Sequence, residues 1–144
     1  MYALPIQILM VEDNEADVFL ATAALESAKI ANRIYVVDDG VKALEYLHCQ
    51  GDYTVASRPD LILLDLNLPR KDGRQVLKEI KSDPDLCTIP VVILTGSEAE
   101  QDLVRSRVHH ADGYLVKPVD FNGLMEVVRS IEQFSLAVVT LSAA

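Results

Sequence analysis

"PDLILLDLNLPRKDG", Pro59 to Gly73, sets four consecutive apolar residues, Leu61 to Leu64, ahead of Asp65 and a loop of proline, lysine, aspartate and glycine. A run without polar alternation is what a parallel strand covered on both faces requires. In such sheets ligands gather beyond the carboxyl ends of the strands. Asp65 stands at that end and is a candidate site residue on position alone.

Outward from this stretch, four further apolar runs have strand length: Ile6 to Val11, Ile34 to Val37, Val91 to Thr95 and Gly113 to Val116. Between them, Ala16 to Ile30, Val41 to Cys49, Gln75 to Lys81 and Glu98 to Val108 have helical spacing, and Leu124, Val127, Val128 and Ile131 repeat at i, i+3, i+4, i+7. Asn14 followed by Asp17, and Ser97 followed by Glu100, are capping signals, while Gly40, Gly73 and Pro118 punctuate turns. Strand alternating with helix predicts an α/β chain with a doubly wound five-stranded parallel sheet. Right-handed crossovers with helices on both faces allow the order 2-1-3-4-5, with a crevice between strands one and three.

At 144 residues the chain has the length of one domain, and no run of 18 or more apolar residues suggests a membrane span. The start, "MYALPIQILMVED", carries no basic segment or cleavage site and reads as the first strand, with the cytoplasm as default location. Thirteen Lys and Arg against 22 Asp and Glu give a net charge of −9, which disfavours contact with nucleic acid or an anionic membrane. Cys49 and Cys87 have no metal-ligand or C-x-x-C spacing and read as reduced thiols. His109 and His110 point about 100° apart on a helix and lack a third ligand, so they read as a partly exposed pair at a helix end.

Polar residues cluster at the strand ends instead: Glu12 and Asp13 after the first, Asp65 after the third, Thr95 closing the fourth, Lys117 after the fifth. All fall at one edge of the sheet. Carboxylates so placed repel one another unless they share a cation, and hard oxygen ligands suit Mg²⁺. A carboxylate beside a cation, an ammonium and a hydroxyl is a set of parts for phosphoryl transfer, with Asp65 as nucleophile. Each residue alone has a plainer reading, as a cap, a packed side chain or a solvated charge; the set together carries the inference.

At these residues the sequence resembles the response-regulator receiver family, from about Ile6 to Phe134, in "ILMVEDN", "LILLDLNLPRKDG", "VVILTGS" and "YLVKPVD". The resemblance implies the flavodoxin-like receiver fold, with Asp65 as phosphoacceptor. Asp13 and Asp65 would be direct ligands of Mg²⁺ (or Mn²⁺), Glu12 an acidic partner acting through water, and Asn67 a ligand through its backbone carbonyl. Lys117 would pair with the phosphoryl group, and its bond to Pro118 would be cis. Thr95 and Tyr114 match the switch pair that changes the face formed by the fourth helix, fifth strand and fifth helix. The loop "HHADGY" departs from the pattern, with His110 and Asp112 where relatives often carry a small residue and asparagine. Gly96 is small, as phosphoryl access requires.

"VEDNEADVFLATAAL" with "DLNLPRKDGRQVLKEIKSDP" is most similar to stand-alone receivers that serve phytochrome-type histidine kinases in bacteria, cyanobacteria among them. This implies a phosphoacceptor signalling protein rather than an enzyme, with at most slow self-dephosphorylation. It also implies a sensor histidine kinase as partner, with output passing through another protein, a relay or the kinase itself. Phe19 projects away from the apolar stripe of Val18, Ala21, Leu25 and Ala28, so it is a candidate for kinase docking, the alternative being packing against the last helix. Residues 1–134 form the expected receiver domain. The uncharged end "SLAVVTLSAA", 135–144, is too short for an output domain and reads either as an extension of the last helix or a frayed end, or as a homodimer contact.

Three rivals share the fold or the parts. Haloacid-dehalogenase phosphatases need Asp-x-Asp, whereas here the triplet is Asp65-Leu66-Asn67. A flavin or nucleotide module needs a glycine-rich phosphate loop, absent here. A receiver scaffold that takes no phosphate conflicts with the intact set of Glu12, Asp13, Asp65, Thr95 and Lys117.

Overall fold

A period of two inside the continuous apolar runs decides the layers. In a computed structural model that describes residues 5–28, 31–108 and 110–131, Leu61 and Leu63 pack to one side of the sheet with Ile8, Met10, Val92 and Leu94. Ile62 and Leu64 pack to the other with Leu9, Val11, Val91 and Ile93. Side chains alternate across a strand, so a run buried at every position must have cover on both faces. Strand β3 (Leu61–Asp65) is buried at all five positions.

Its neighbours are β1 (Ile6–Val11), β2 (Asn32–Val37), β4 (Val91–Thr95) and β5 (Gly113–Val116), all parallel, in the order β2-β1-β3-β4-β5. Helices α1 (Glu15–Glu26) and α5 (Phe121–Arg129) cover one face through Ala21, Leu25, Leu124 and Val128. Helices α2 (Gly40–Leu47), α3 (Gly73–Ser82) and α4 (Glu98–Arg107) cover the other through Ala43, Val76, Ile80 and Val104. The expected doubly wound α/β fold and its strand order are therefore as read from the sequence. No helix among the described residues is long and apolar enough to cross a membrane.

The boundaries differ where polar side chains intervene. Helix α1 stops at Glu26, not Ile30, because Ser27 caps it and the Asn32 side-chain amide donates 2.8 Å to the Leu25 carbonyl, satisfying a group the next turn would have used. Asn32 thereby also starts β2 two residues before Ile34. Helix α3 begins at Gly73, two residues before Gln75, because the Asp72 side chain accepts from the Arg74 N–H at 2.8 Å. Helix α2 begins at Gly40 behind an Asp39 cap and ends at Leu47, two residues before Cys49. Ile30, His109 and the apolar end, 135–144, lie outside the described residues.

Candidate functional site

Register brings the strand-end residues together. Val11 pairs with Leu64, so the residues that follow, Glu12 and Asp65, leave the sheet side by side. Thr95 pairs with Val116, and the next residue, Lys117, ties back through its N–H to the Thr95 carbonyl at 2.7 Å. The Lys117–Pro118 peptide is cis, as expected.

Glu12, Asp13 and Asp65 each offer an oxygen within 4.8 Å of the others. Glu12 and Asp65 are buried, at 1% and 6% exposure, and Asp13 is open to solvent. Glu12 Oε1 accepts from Lys117 Nζ at 2.9 Å, whereas Oε2 is buried without a hydrogen-bond partner among the described residues. Lys117 Nζ also donates to Asp17 Oδ2 at 3.0 Å and to Asp65 Oδ2 at 3.3 Å. Asp65 Oδ1 accepts from the Asn67 N–H at 3.0 Å, which fixes the carboxylate at the mouth of the loop.

Charge crowding shows in the titration of the site. Burial, followed by the closeness of the Asp65 carboxyl, pushes the Glu12 carboxyl up to about 9 against the pull of Lys117. For Lys117, burial acts to lower the value, but hydrogen bonds to Glu12 and Asp17 and the charge of Asp65 raise it above the ordinary lysine range. Burial likewise works against ionisation of Asp17, yet its bonds to Lys117 and Glu12 hold it below the usual carboxylate range. A buried oxygen without a partner and three converging carboxylates form a hard-oxygen donor set, which fits Mg²⁺ or Mn²⁺.

The Thr95 hydroxyl is buried at 1% exposure and has no partner among the described residues. Tyr114, half-buried on β5, donates from its hydroxyl to the Val108 carbonyl at 3.0 Å, and the Arg105 guanidinium lies 4.8 Å from its ring centre. Asp112 in the neighbouring loop takes Lys81 Nζ at 2.7 Å and the Val91 N–H at 2.8 Å, so its charge is neutralised while it pins the start of β5. Phe19 is 71% exposed beside Leu20 at 46%, which removes the alternative of packing on α5. Cys49 and Cys87 are free thiols, and His110 is exposed beyond α4.

One member of the site lies hidden behind a local role. Asn14 accepts from the Asp17 N–H as the capping signal requires, but the Asp17 carboxylate turns to Lys117. Its sequence signal was a carboxylate in the first turn of the helix that leaves the acidic strand end.

A family model described as the response regulator receiver domain matches residues 8–129. The sequence is 47% identical to response regulator Rcp1 of Synechocystis sp. over 140 residues, 97% of this chain and 95% of that protein. The fold matches the crystal structure of the Mn²⁺-bound form of Rcp1 with a TM-score of 0.73, covering 95% of this chain and 99% of that one at 47% identity. It matches the phosphorylated cyanobacterial phytochrome response regulator RcpA with a TM-score of 0.74, at 47% identity over 94% and 96% of the two chains. The bacteriophytochrome response regulator AtBRR gives a TM-score of 0.83 at 42% identity, over 90% of this chain and 94% of that one. With the match running from the first strand through the last helix, the chain belongs to the response regulator receiver domain family and has a response regulator's role in two-component signalling.

Proposed function

We propose that the chain accepts a phosphoryl group from a histidine kinase onto Asp65. The observation that carries this is the placement of the Asp65 carboxylate at a buried strand end, shared between the Glu12 and Asp13 carboxylates and the Lys117 ammonium. Asp65 forms the new P–O bond as the P–N bond of a phosphohistidine breaks, the electron pair leaving with the imidazole. Lys117 offsets the charge of the aspartyl phosphate. Asp13 and Asp65, with Glu12 and the backbone carbonyl of Asn67, would hold Mg²⁺ or Mn²⁺, which neutralises charge on the phosphoryl oxygens when bound. The residue two beyond Asp65 is Asn67, not a second acid, so water attack lacks acid-base help and self-dephosphorylation is slow.

The Thr95 hydroxyl, buried and unpartnered, is free to turn to a phosphoryl oxygen, and Tyr114 follows it and changes the face formed by α4, β5 and α5. The similarity to the phytochrome response regulator RcpA and the bacteriophytochrome response regulator AtBRR supports a phytochrome-type kinase as the donor. Phe19 marks the docking face for it on α1. The protein works in the cytoplasm, and its charge of −9 directs output to a protein partner rather than to DNA or a membrane. Residues 135–144 supply an apolar contact for a homodimer; light scattering of a chain ending at 134 should then report the monomer, and an unchanged oligomeric state would remove that contact.

Intact mass tests the central step. Wild type incubated with acetyl phosphate and Mg²⁺ gains one phosphoryl group, and neither Asp65→Asn nor the Mg²⁺-free protein does. A folded wild type that gains nothing even in rapidly quenched samples would move the assignment to a phosphate-independent scaffold.

A further inference from the structure

An ammonium has three N–H donors, and those of Lys117 are all taken by carboxylates: Glu12 at 2.9 Å, Asp17 at 3.0 Å and Asp65 at 3.3 Å. Two of these partners answer to other groups as well during a phosphorylation cycle. Glu12 and Asp65 belong to the oxygen cluster that would hold a cation, and Asp65 gives up a carboxylate oxygen to phosphorus when it becomes an acyl phosphate. Asp17 lies outside that cluster.

Asp17 is also built to stay in place. It occupies the third position of α1, where its N–H is fixed by the Asn14 cap at 2.9 Å. The side chain is a quarter exposed and rests on a helical turn rather than on the loop after β3. A carboxylate at this helix position commonly turns back to its own cap residue. Here it reaches across to the residue after β5, bridging an interval of 100 positions in the chain.

We propose that Asp17 is a positioning residue that anchors Lys117 over Asp65 while Glu12 and Asp65 turn to the cation and the phosphoryl group. The inference rests on the reading of Asp65 as phosphoacceptor. Without the anchor, the long lysine side chain recovers the rotamer freedom that a fixed donor has already given up, and fewer molecules present an ammonium to the incoming group.

Three variants test it, with Asp65→Asn as control. Asp17→Asn keeps the shape and the helix cap but replaces the ionised acceptor of the Lys117 ammonium by a neutral amide oxygen, and should slow phosphorylation by acetyl phosphate about tenfold. Its Mg²⁺ affinity, measured by calorimetry, should stay within about threefold of wild type, because Asp17 is no member of the cluster. Asp17→Glu, which restores the charge, should return the rate to within about threefold. Asp17→Ser replaces Asp17→Asn in the comparison if the latter lacks the wild-type circular-dichroism spectrum.

A second readout needs no phosphate. With Mg²⁺ bound, the Lys117 ammonium protons of the wild type should be protected enough for heteronuclear NMR, and in Asp17→Asn they should be lost to solvent exchange. A merely structural role for Asp17 would leave that signal in place. If wild type is phosphorylated on Asp65 and folded Asp17→Asn matches or exceeds its rate, the anchor is overturned while the phosphoacceptor stands. If wild type takes no phosphoryl group, or Asp65→Asn takes one equally well, the phosphoacceptor reading fails and the anchor with it.

Discussion

Gly73, the first residue of α3, lies against the main chain of Asp65 so closely that a Cβ on it would overlap the Asp65 carbonyl oxygen and the Leu66 Cα. Its N–H donates to the Leu66 carbonyl at 2.9 Å, closing the loop that leaves the site and returns to α3. The glycine is required by this close approach of two backbones, since its own backbone angles are not among the left-handed ones.

Gly73→Ala must therefore push α3 away from the end of β3. We expect a loss of about 2 kcal/mol, a melting temperature lower by roughly 4–8 °C, from overpacking against immobile backbone. Phosphorylation of Asp65 should slow in the folded fraction, because the displaced atoms belong to the nucleophile's own residue. Thermal melts by circular dichroism check the first part, and intact-mass time courses the second. An alanine variant that melts with wild type would show that the loop yields without strain.

Glu12 gives the site a pH dependence whose sign can be worked out. Burial raises its carboxyl from 4.5 to about 9, so the fold favours the protonated form. Its contribution is fully present below the unfolded value and is lost as pH rises through the folded one. In EDTA, wild type should lose melting temperature between about pH 5 and pH 9 relative to Glu12→Gln, which has no proton to lose. Mg²⁺ should offset that loss by supplying the positive charge the proton withheld, with more effect at pH 8.5 than at pH 5.5. Parallel pH profiles for wild type and Glu12→Gln in EDTA would remove Glu12 as the source.

How far the sequence told this in advance depends on the kind of signal. Leu61 to Leu64 and Val91 to Ile93 announce a two-sided parallel sheet because an uninterrupted apolar run has few other uses, and the strand order follows from crossover handedness. Glu12, Asp65, Thr95 and Lys117 were legible because each ends such a run. Asp17 was not, since a first-turn acid already has a sufficient local reason to exist and only register places it beside a lysine 100 residues away. The early end of α1 was hidden for the same reason: its stop comes from the Asn32 side chain, which belongs to the next strand. Local periodicity speaks for the elements, and long-range polar contacts trim them.

Phe19 separates docking from chemistry. At 71% exposure its ring supports little of the core, so Phe19→Ala should keep the wild-type melting temperature and the wild-type rate with acetyl phosphate. With a phosphorylated histidine kinase as donor, transfer should slow by about tenfold, the cost of losing an aromatic anchor at an interface. Equal transfer rates from the kinase for wild type and variant would remove Phe19 from the docking face.

Thr95 makes opposite demands on stability and signalling. Its hydroxyl is buried at the end of β4 with no hydrogen-bond partner among the described residues, a state that costs on the order of 1–3 kcal/mol relative to a satisfied group. Thr95→Val fills the same space without the orphaned oxygen, so the unphosphorylated variant should be as stable as wild type or more so, by up to about 1 kcal/mol in urea titrations. The hydroxyl is nevertheless a neutral donor within the strand-end set, and a phosphoryl oxygen on Asp65 would supply its missing partner. Phosphorylated wild type should then shift the NMR signals of the Tyr114 ring, whose hydroxyl now bonds the Val108 carbonyl at 3.0 Å, as that ring leaves its present contacts. In Thr95→Val the aspartyl phosphate should still form, seen as added mass, while the Tyr114 signals stay where they were. Stability gained and response lost in one substitution would identify the orphaned hydroxyl as a cost retained for switching; Tyr114 signals that move in both proteins would place the switch elsewhere.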